Sequence, residues 1–121
     1  MGKTISEKIL SKASGEDAYA GDYVTADIET AMGQDGTTPL TIEAIEEMGG
    51  QEVWDPERIV IVIDHTVPSA SVGTSEMHKS MREFASKMGI PNLYYGEGIC
   101  HQIMVEKGHV KPGTVVVGAD S

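Results

Sequence analysis

Cysteine, basic residues and long apolar runs are scarce in this chain of 121 residues. The single Cys100 cannot form an intramolecular disulfide, and one thiol is too few for a zinc or iron–sulfur site built from this chain alone. Only 9 basic residues stand against 19 acidic ones, and the formal charge of -10 repels polyphosphate. We therefore expect no nucleic-acid partner.

Membrane and export signals are also missing. No apolar signal-peptide segment follows Met1, and no run is long enough to cross a bilayer. We therefore expect no membrane partner and a reducing, cytoplasmic location. What is present is ordinary: 40% hydrophobic and 23% charged residues without low-complexity tracts, which is typical of one folded domain.

The N-terminal third predicts one helix and one short strand. Thr4 followed by Glu7 is a capping-box pattern, and apolar residues then fall on one face, which predicts a helix over residues 5–13. A partial alternation predicts a strand over residues 23–28. The glycine-rich residues 33–36 are interpreted as a loop.

The clearest strand is the uninterrupted β-branched run over residues 59–63, which is typical of a parallel strand covered on both faces. A helix is predicted on either side of it. Residues 38–48 carry proline at the first helical position, and a longer helix capped by Thr74 or Ser75 continues to residue 88. We interpret the methionines recurring along that second helix as core packing.

The remaining chain predicts a strand at residues 93–95, a helical turn at 101–105 and a strand at 115–117. Strands that alternate with helices imply an α/β fold with a mainly parallel sheet. His78 falls on the polar side of its predicted helix, and His109 lies in a glycine-flanked loop. Both are predicted to be surface groups.

Polar residues that directly follow strands are the candidates for chemistry, because ligands of open α/β sheets gather beyond the carboxyl ends of the strands. Asp64 and His65 follow the central strand, Asp120 follows the last one, and His101 can reach the same edge. A carboxylate that holds a histidine makes it a proton donor or acceptor near neutral pH. Two such pairs are expected, Asp64 with His65 and Asp120 with His101.

Other interpretations of these residues stay open. The aspartates can cap turns, with each histidine a satisfied surface group. Cys100 beside His101 suggests a cysteine nucleophile, but a buried thiol is the better interpretation because sequence neighbours usually point in different directions. The four Asp and His residues are also metal-ligand types, so a small metal-dependent hydrolase is an alternative, although it has no spacing signature.

Four motifs occur in order along the chain: TISEKIL at residues 4–10, IDH at 63–65, GICHQ at 98–102 and GADS at 118–121. In these motifs the chain resembles large subunits of 3-isopropylmalate dehydratase and the related homoaconitases, in the aconitase superfamily. The resemblance implies a partial three-layer α/β/α aconitase-type domain. The last motif normally continues, so we expect residues 1–121 to be an N-terminal fragment of the iron–sulfur catalytic region, cut at Ser121 before the cluster-ligand domains.

The resemblance implies a hydro-lyase that isomerises 2-isopropylmalate and 3-isopropylmalate in leucine biosynthesis, or homocitrate or citrate in the related enzymes. A 4Fe-4S cluster would act as a Lewis acid, with its cysteines downstream of this chain and no metal ligand within it. A separate small subunit would carry a swivelling domain with the proton-abstracting serine. The substrate would be a hydroxy di- or tricarboxylic acid.

The resemblance also implies roles for individual residues. His65, paired with Asp64, would protonate the departing hydroxyl, and His101 with Asp120 would form the second pair. Gln34 and Ser121 would contact substrate carboxylates. The fragment alone is expected to be inactive, and a different class of function remains: a non-catalytic piece that associates through its exposed sheet edge.

Overall fold

A four-stranded, all-parallel sheet with helices on both faces is the framework of the structure, a computed structural model that describes residues 2–120. None of the helices in this range is long and apolar enough to span a membrane. The α/β prediction is confirmed. The elements in chain order are α1 (Ile5–Ser14), β1 (Thr30–Gln34), α2 (Thr38–Glu47), a 3₁₀ turn (Pro56–Arg58), β2 (Ile59–Ile63), α3 (Val72–Met88), β3 (Asn92–Tyr95), α4 (Cys100–Glu106) and β4 (Val116–Ala119).

The strand order is β3-β2-β1-β4, so the chain steps outward from β1 to β3 and then returns to the other side of β1. β1 is therefore central and pairs with β2 on one side and β4 on the other. The order reverses between β1 and β4, and we call the carboxyl ends of these two strands, together with the adjoining end of β2, the switch point. In open parallel sheets this is where ligands bind.

Two apolar cores lie on opposite faces of β2. Ile61 and Ile63 pack with buried residues of α2 and α3, whereas Val60 and Val62 pack with α4 and Met32 of β1. Alternate side chains of one strand thus enter different cores. This explains why the run is apolar at every position, as the sequence predicted.

The prediction of a strand over residues 23–28 is wrong, because that segment is irregular and Tyr23 is fully exposed. The strand begins at Thr30 instead. Gly33 and Gln34, predicted as loop, belong to it. Parallel partners on both sides satisfy the backbone of β1, so pairing outweighs its weak strand composition.

The predicted helices are confirmed with small shifts at their ends. α1 carries the predicted capping box, in which the Glu7 N–H donates to Thr4 Oγ1 at 3.2 Å. α3 begins earlier than predicted, because Ser71 rather than Thr74 or Ser75 is its cap. The last strand is Val116–Ala119 rather than 115–117, which brings Asp120 directly to its end.

The surface prediction for His78 is wrong, because its side chain is buried against the Tyr95 ring, at 5.5 Å between centroids. α3 turns this face inward over the ends of β1 and β2, so a polar residue lies in the core. The prediction for His109 is only partly right. It is half-buried, and its ring lies 2.7 Å from the Tyr94 hydroxyl.

Met81 and Met77 of α3 offer a matched test of the packing. Met81 is fully buried in the core beneath α2 and α3, while Met77 is 37% exposed. We expect Met81→Ala to lower the free energy of unfolding by about 2–5 kcal/mol, because it leaves a cavity. Met77→Ala should cost less than about 1 kcal/mol. Denaturant unfolding measures both, and equal losses would contradict the packing of α3.

Candidate active site

The switch point gathers the polar residues predicted from the sequence. Asp64 and His65 follow β2, Asp120 follows β4, and His101 lies in the first turn of α4. His65 Nε2 is 3.9 Å from Asp120 Oδ1. One ligand atom from each of Cys100, His101 and Asp120 lies within 4.8 Å of the others. Residues up to 56 positions apart in sequence therefore share one edge of the sheet.

Asp64 and His65 form a carboxylate–imidazole pair. Asp64 Oδ1 is 2.7 Å from His65 Nδ1, and its second oxygen accepts the Cys100 N–H at 2.6 Å. This hydrogen bond raises the pKa of His65, partial burial opposes it, and the charges of Asp64, Asp35 and Asp120 raise it further. The carboxylate assigns the proton to Nδ1 and leaves Nε2 for exchange.

Sequence reasoning assigned no role to Asp35, which is fully buried beneath this pair. Burial alone would raise the pKa of its carboxyl, but hydrogen bonds from the Thr66 hydroxyl and from the backbone of residues 64–66 outweigh burial and lower it. The sequence contained a signal for this role, because Asp35 directly follows β1 just as Asp64 directly follows β2. It was lost because the end of β1 was interpreted as a loop.

Gln34 is buried at the end of β1, where both ends of its amide are hydrogen-bonded within the chain. Nε2 donates to the Asp120 carbonyl at 2.6 Å, and Oε1 accepts the Gly36 N–H. Thr37 Oγ1 donates to the Ala119 carbonyl at 2.7 Å. These bonds fasten the end of β1 to the end of β4. The other predicted substrate residue, Ser121, lies outside the described residues.

Cys100 is confirmed as a buried thiol, with 1% of the residue exposed. Burial raises its pKa to about 11, and the neighbouring Asp64 carboxylate adds to the shift. His101 Nδ1 lies 3.4 Å from the sulfur. A thiol that stays protonated is neither a good nucleophile nor a ready metal ligand.

The structure brings His101 and Asp120 to the same edge, with ligand atoms within 4.8 Å, but the predicted hydrogen-bonded pair is not formed, and the imidazole within 4.0 Å of Asp120 in residues 2–120 is that of His65. A cavity of about 350 Å³ opens beside His101 and Asp120, between α4 and β4. His101 and Asp120 lie at one end of it, and its walls are apolar, formed in part by Met32, Met104 and Val117. The switch point is thus polar on the His65 side and apolar on this side. Such a division suits a ligand with charged and aliphatic parts.

The geometry favours acid–base chemistry over metal binding. Asp35, Asp64 and His65 have ligand atoms within 4.8 Å of one another. The oxygens of Asp35 and Asp64 already accept N–H or O–H hydrogen bonds, however, and Asp64 also engages the imidazole. A carboxylate used in this way orients a histidine rather than offering free oxygens to a cation.

Sequence comparisons show which known proteins this chain is similar to. A sequence model of the aconitase family (aconitate hydratase) matches residues 7–121. The chain is 58% identical over 122 residues to 3-isopropylmalate dehydratase large subunit 1 of Methanopyrus kandleri, covering 100% of this chain and 29% of that protein. It is 51% identical over 123 residues to the probable 3-isopropylmalate dehydratase large subunit of Methanothermobacter thermautotrophicus, again covering 100% of this chain and 29% of that protein.

Proteins named for a different substrate are also similar. The methanogen homoaconitase large subunit of Methanocaldococcus jannaschii is 46% identical over 119 residues, covering 98% of this chain and 28% of that protein. The chain thus spans about 29% of the length of the two 3-isopropylmalate dehydratase large subunits named above.

The raised pKa of His65 predicts a pH-dependent contribution to stability. The imidazolium stabilises the fold fully below the unfolded pKa of about 6.5, and this contribution is lost as pH rises through the higher folded pKa. His65→Gln should therefore lower the free energy of unfolding more at about pH 5.5 than at about pH 8.5. Denaturant titrations at the two pH values measure the difference.

His109→Gln is the matched control, because its effect on the free energy of unfolding should change with pH in the opposite direction. Burial and the Lys111 charge lower the pKa of His109, so its charged form opposes folding in acid. Replacing it should raise the stability relative to the unsubstituted chain as pH falls. The same trend for both substitutions would contradict the assigned environments.

The buried, protonated state of Cys100 predicts slow alkylation. With a pKa of about 11, the thiolate fraction at about pH 8 is roughly a hundredfold below that of an ordinary cysteine. Iodoacetamide should therefore modify the folded chain at least about a hundredfold more slowly than the chain in guanidinium, followed by intact mass. Equal rates would show that the thiol is accessible.

Proposed function

Because the chain belongs to the aconitase family, we propose that it is the N-terminal part of the large subunit of a hydro-lyase that isomerises 2-isopropylmalate and 3-isopropylmalate. Two relatives with that name are 58% and 51% identical to it, while the proteins named homoaconitase are 45–46% identical. Residues 1–121 then belong to the iron–sulfur catalytic region of a longer enzyme of leucine biosynthesis in the cytoplasm.

The observation that carries the proposal is the paired imidazole at the switch point. Dehydration needs a proton on the departing hydroxyl, and hydration returns it. Nδ1 of His65 is held by Asp64, so Nε2 is the nitrogen that gives and takes this proton. The raised pKa of His65 keeps more of it in the donating form near neutral pH.

The second pair and the substrate contacts complete the site. His101 and Asp120 bind the polar end of the reacting molecule beside the apolar cavity, which takes its aliphatic part. Gln34 and Ser121 contact substrate carboxylates. For Gln34 this requires the amide to exchange its bond to the Asp120 carbonyl or to the Gly36 N–H for one to the substrate.

In the longer enzyme a 4Fe-4S cluster would supply Lewis-acid polarisation of the substrate. Clusters are held by thiolates. The one cysteine of this chain is buried with a raised pKa, so residues 2–120 do not supply that ligand set. The present chain contributes proton transfer and orientation, and a small subunit that carries a swivelling domain supplies the proton-abstracting group.

Two other functions have specific support. Homocitrate or citrate as substrate is favoured by the homoaconitase relatives, and competition between these acids and 2-isopropylmalate in the full-length enzyme decides the choice. A non-catalytic piece that self-associates is favoured by the open outer edge of β4 within the described chain, where Val117 is 44% exposed. Concentration-dependent sedimentation of the 121-residue chain tests that alternative.

The catalytic assignment predicts a large effect of His65→Ala in the full-length large subunit, with cluster and small subunit present. We expect kcat to fall by about 10²–10⁴-fold, the usual contribution of a general acid or base. His109→Gln is the control, because the His109 carbonyl accepts a hydrogen bond from Thr30 at the start of β1, the end opposite to the switch point. Undiminished turnover of 2-isopropylmalate by His65→Ala would refute the role of this histidine.

A further inference from the structure

The Asp35 carboxylate has no role in the reaction proposed above, although it is the most thoroughly bonded side chain at the switch point. Its two oxygens accept four hydrogen bonds, all from residues that directly follow β2. The donors are the N–H of Asp64 at 3.4 Å, the N–H of His65 at 3.0 Å, the N–H of Thr66 at 2.8 Å and the Thr66 hydroxyl at 2.6 Å.

We propose that Asp35 is a positioning residue for His65, acting on both its backbone and its ring. The hydrogen bonds fix the peptide units on either side of His65. In addition, Asp35 Oδ1 lies 3.5 Å from His65 Nδ1, so its charge attracts the proton on that nitrogen. This inference rests on the proposed role of His65 in proton transfer.

Nδ1 of His65 lies between two carboxylates, with Asp64 Oδ1 at 2.7 Å and Asp35 Oδ1 at 3.5 Å. A proton is strongly favoured there, so the neutral ring keeps its hydrogen on Nδ1 and presents the lone pair of Nε2. Nε2 lies 3.9 Å from Asp120 Oδ1, on a side chain that is 47% exposed. Asp35 thus helps to select which nitrogen exchanges protons.

The environment of Asp35 shows why a charge, and not only a tether, is present. Burying a carboxylate costs several kcal/mol unless its oxygens are well bonded. The rear of Asp35 is closed by His78, a buried imidazole whose Nε2 lies 3.6 Å from Asp35 Oδ2 and has no hydrogen-bond partner among residues 2–120. Donors on both oxygens need a carboxylate, because an amide accepts on one of its two atoms only. The charge that this requires also lies where it attracts the proton of His65.

The main experiment uses the full-length large subunit with its small subunit and compares Asp35→Asn with Asp27→Asn. Both substitutions remove one negative charge, but Asp27 is exposed and precedes β1 at the opposite end of the sheet. Histidine selectively labelled with ¹³C and ¹⁵N reports the titration of His65, which is assigned by its loss in His65→Gln. Turnover of 2-isopropylmalate is measured across pH in parallel.

We expect Asp35→Asn to lower the pKa of His65, to move the corresponding limb of the kcat profile to lower pH, and to reduce kcat by about ten- to a hundredfold, because the imidazole is less well placed. Asp27→Asn should leave the titration and the profile unchanged. A folded Asp35→Asn protein in which the His65 titration is unaltered overturns the proposal.

The two readouts separate this inference from the proposed function. If the unsubstituted enzyme does not turn over 2-isopropylmalate but the His65 titration still moves in Asp35→Asn, the function is wrong and the positioning role stands. If turnover is present and the titration does not move, the function stands and the positioning role is wrong.

A second pair of variants decides the case if Asp35→Asn does not fold. Thr66→Val removes only the hydroxyl bond to Asp35, and Thr114→Val removes a comparable exposed bond, to the Lys111 carbonyl at 2.7 Å. We expect the backbone amide of His65 to exchange hydrogen about tenfold faster in Thr66→Val and at the original rate in Thr114→Val. If the His65 amide exchanges at an unchanged rate in Thr66→Val, the proposal that Asp35 positions the His65 backbone is wrong.

Discussion

The buried carboxylate of Asp35 is the contact on which the arrangement of the switch point depends. It binds the end of β1 to the loop after β2 through N–H and O–H donors. Asp64 then binds that loop to the first turn of α4, and Gln34 binds β1 to the residue after β4. Separate strand ends are thereby joined by charged or amide groups rather than by apolar packing.

Three carboxylates converge on one exposed imidazole, and this sets the electrostatic character of the site. Asp35 and Asp64 are buried and fully bonded, whereas Asp120 remains partly in solvent. Their combined charge holds a proton on His65, which is 47% exposed and therefore open to a reacting molecule. The same charge, in a chain of net -10, repels an anionic substrate. Cationic or metal groups from beyond these residues must offset that repulsion if the proposed substrate binds.

Strong local signals predicted most of the fold, and pairing between distant segments decided the rest. The capping box of α1 and the β-branched run of β2 were sufficient to predict these two elements, because each pattern lies within ten residues or fewer. β1 has the sequence TAMGQ, which carries little strand propensity and is stabilised by partners on both sides. Asp64, His65, His101 and Asp120 were predicted at one edge from the strand ends alone. The position of His78 required the three-dimensional packing of α3, whereas Asp35 was missed because the end of β1 was predicted to be a loop.

The central position of β1 also affects the order of folding. Its hydrogen bond from Gln34 to the Asp120 carbonyl joins residues 86 positions apart, and its ladder with β4 is equally distant in sequence. Contacts of such separation form after local ones, because the loop entropy must be overcome first. The helices and the β2–β3 pair can therefore form while the edge between β1 and β4 is still open. During synthesis on the ribosome, that edge closes only once the segment around residue 120 has emerged.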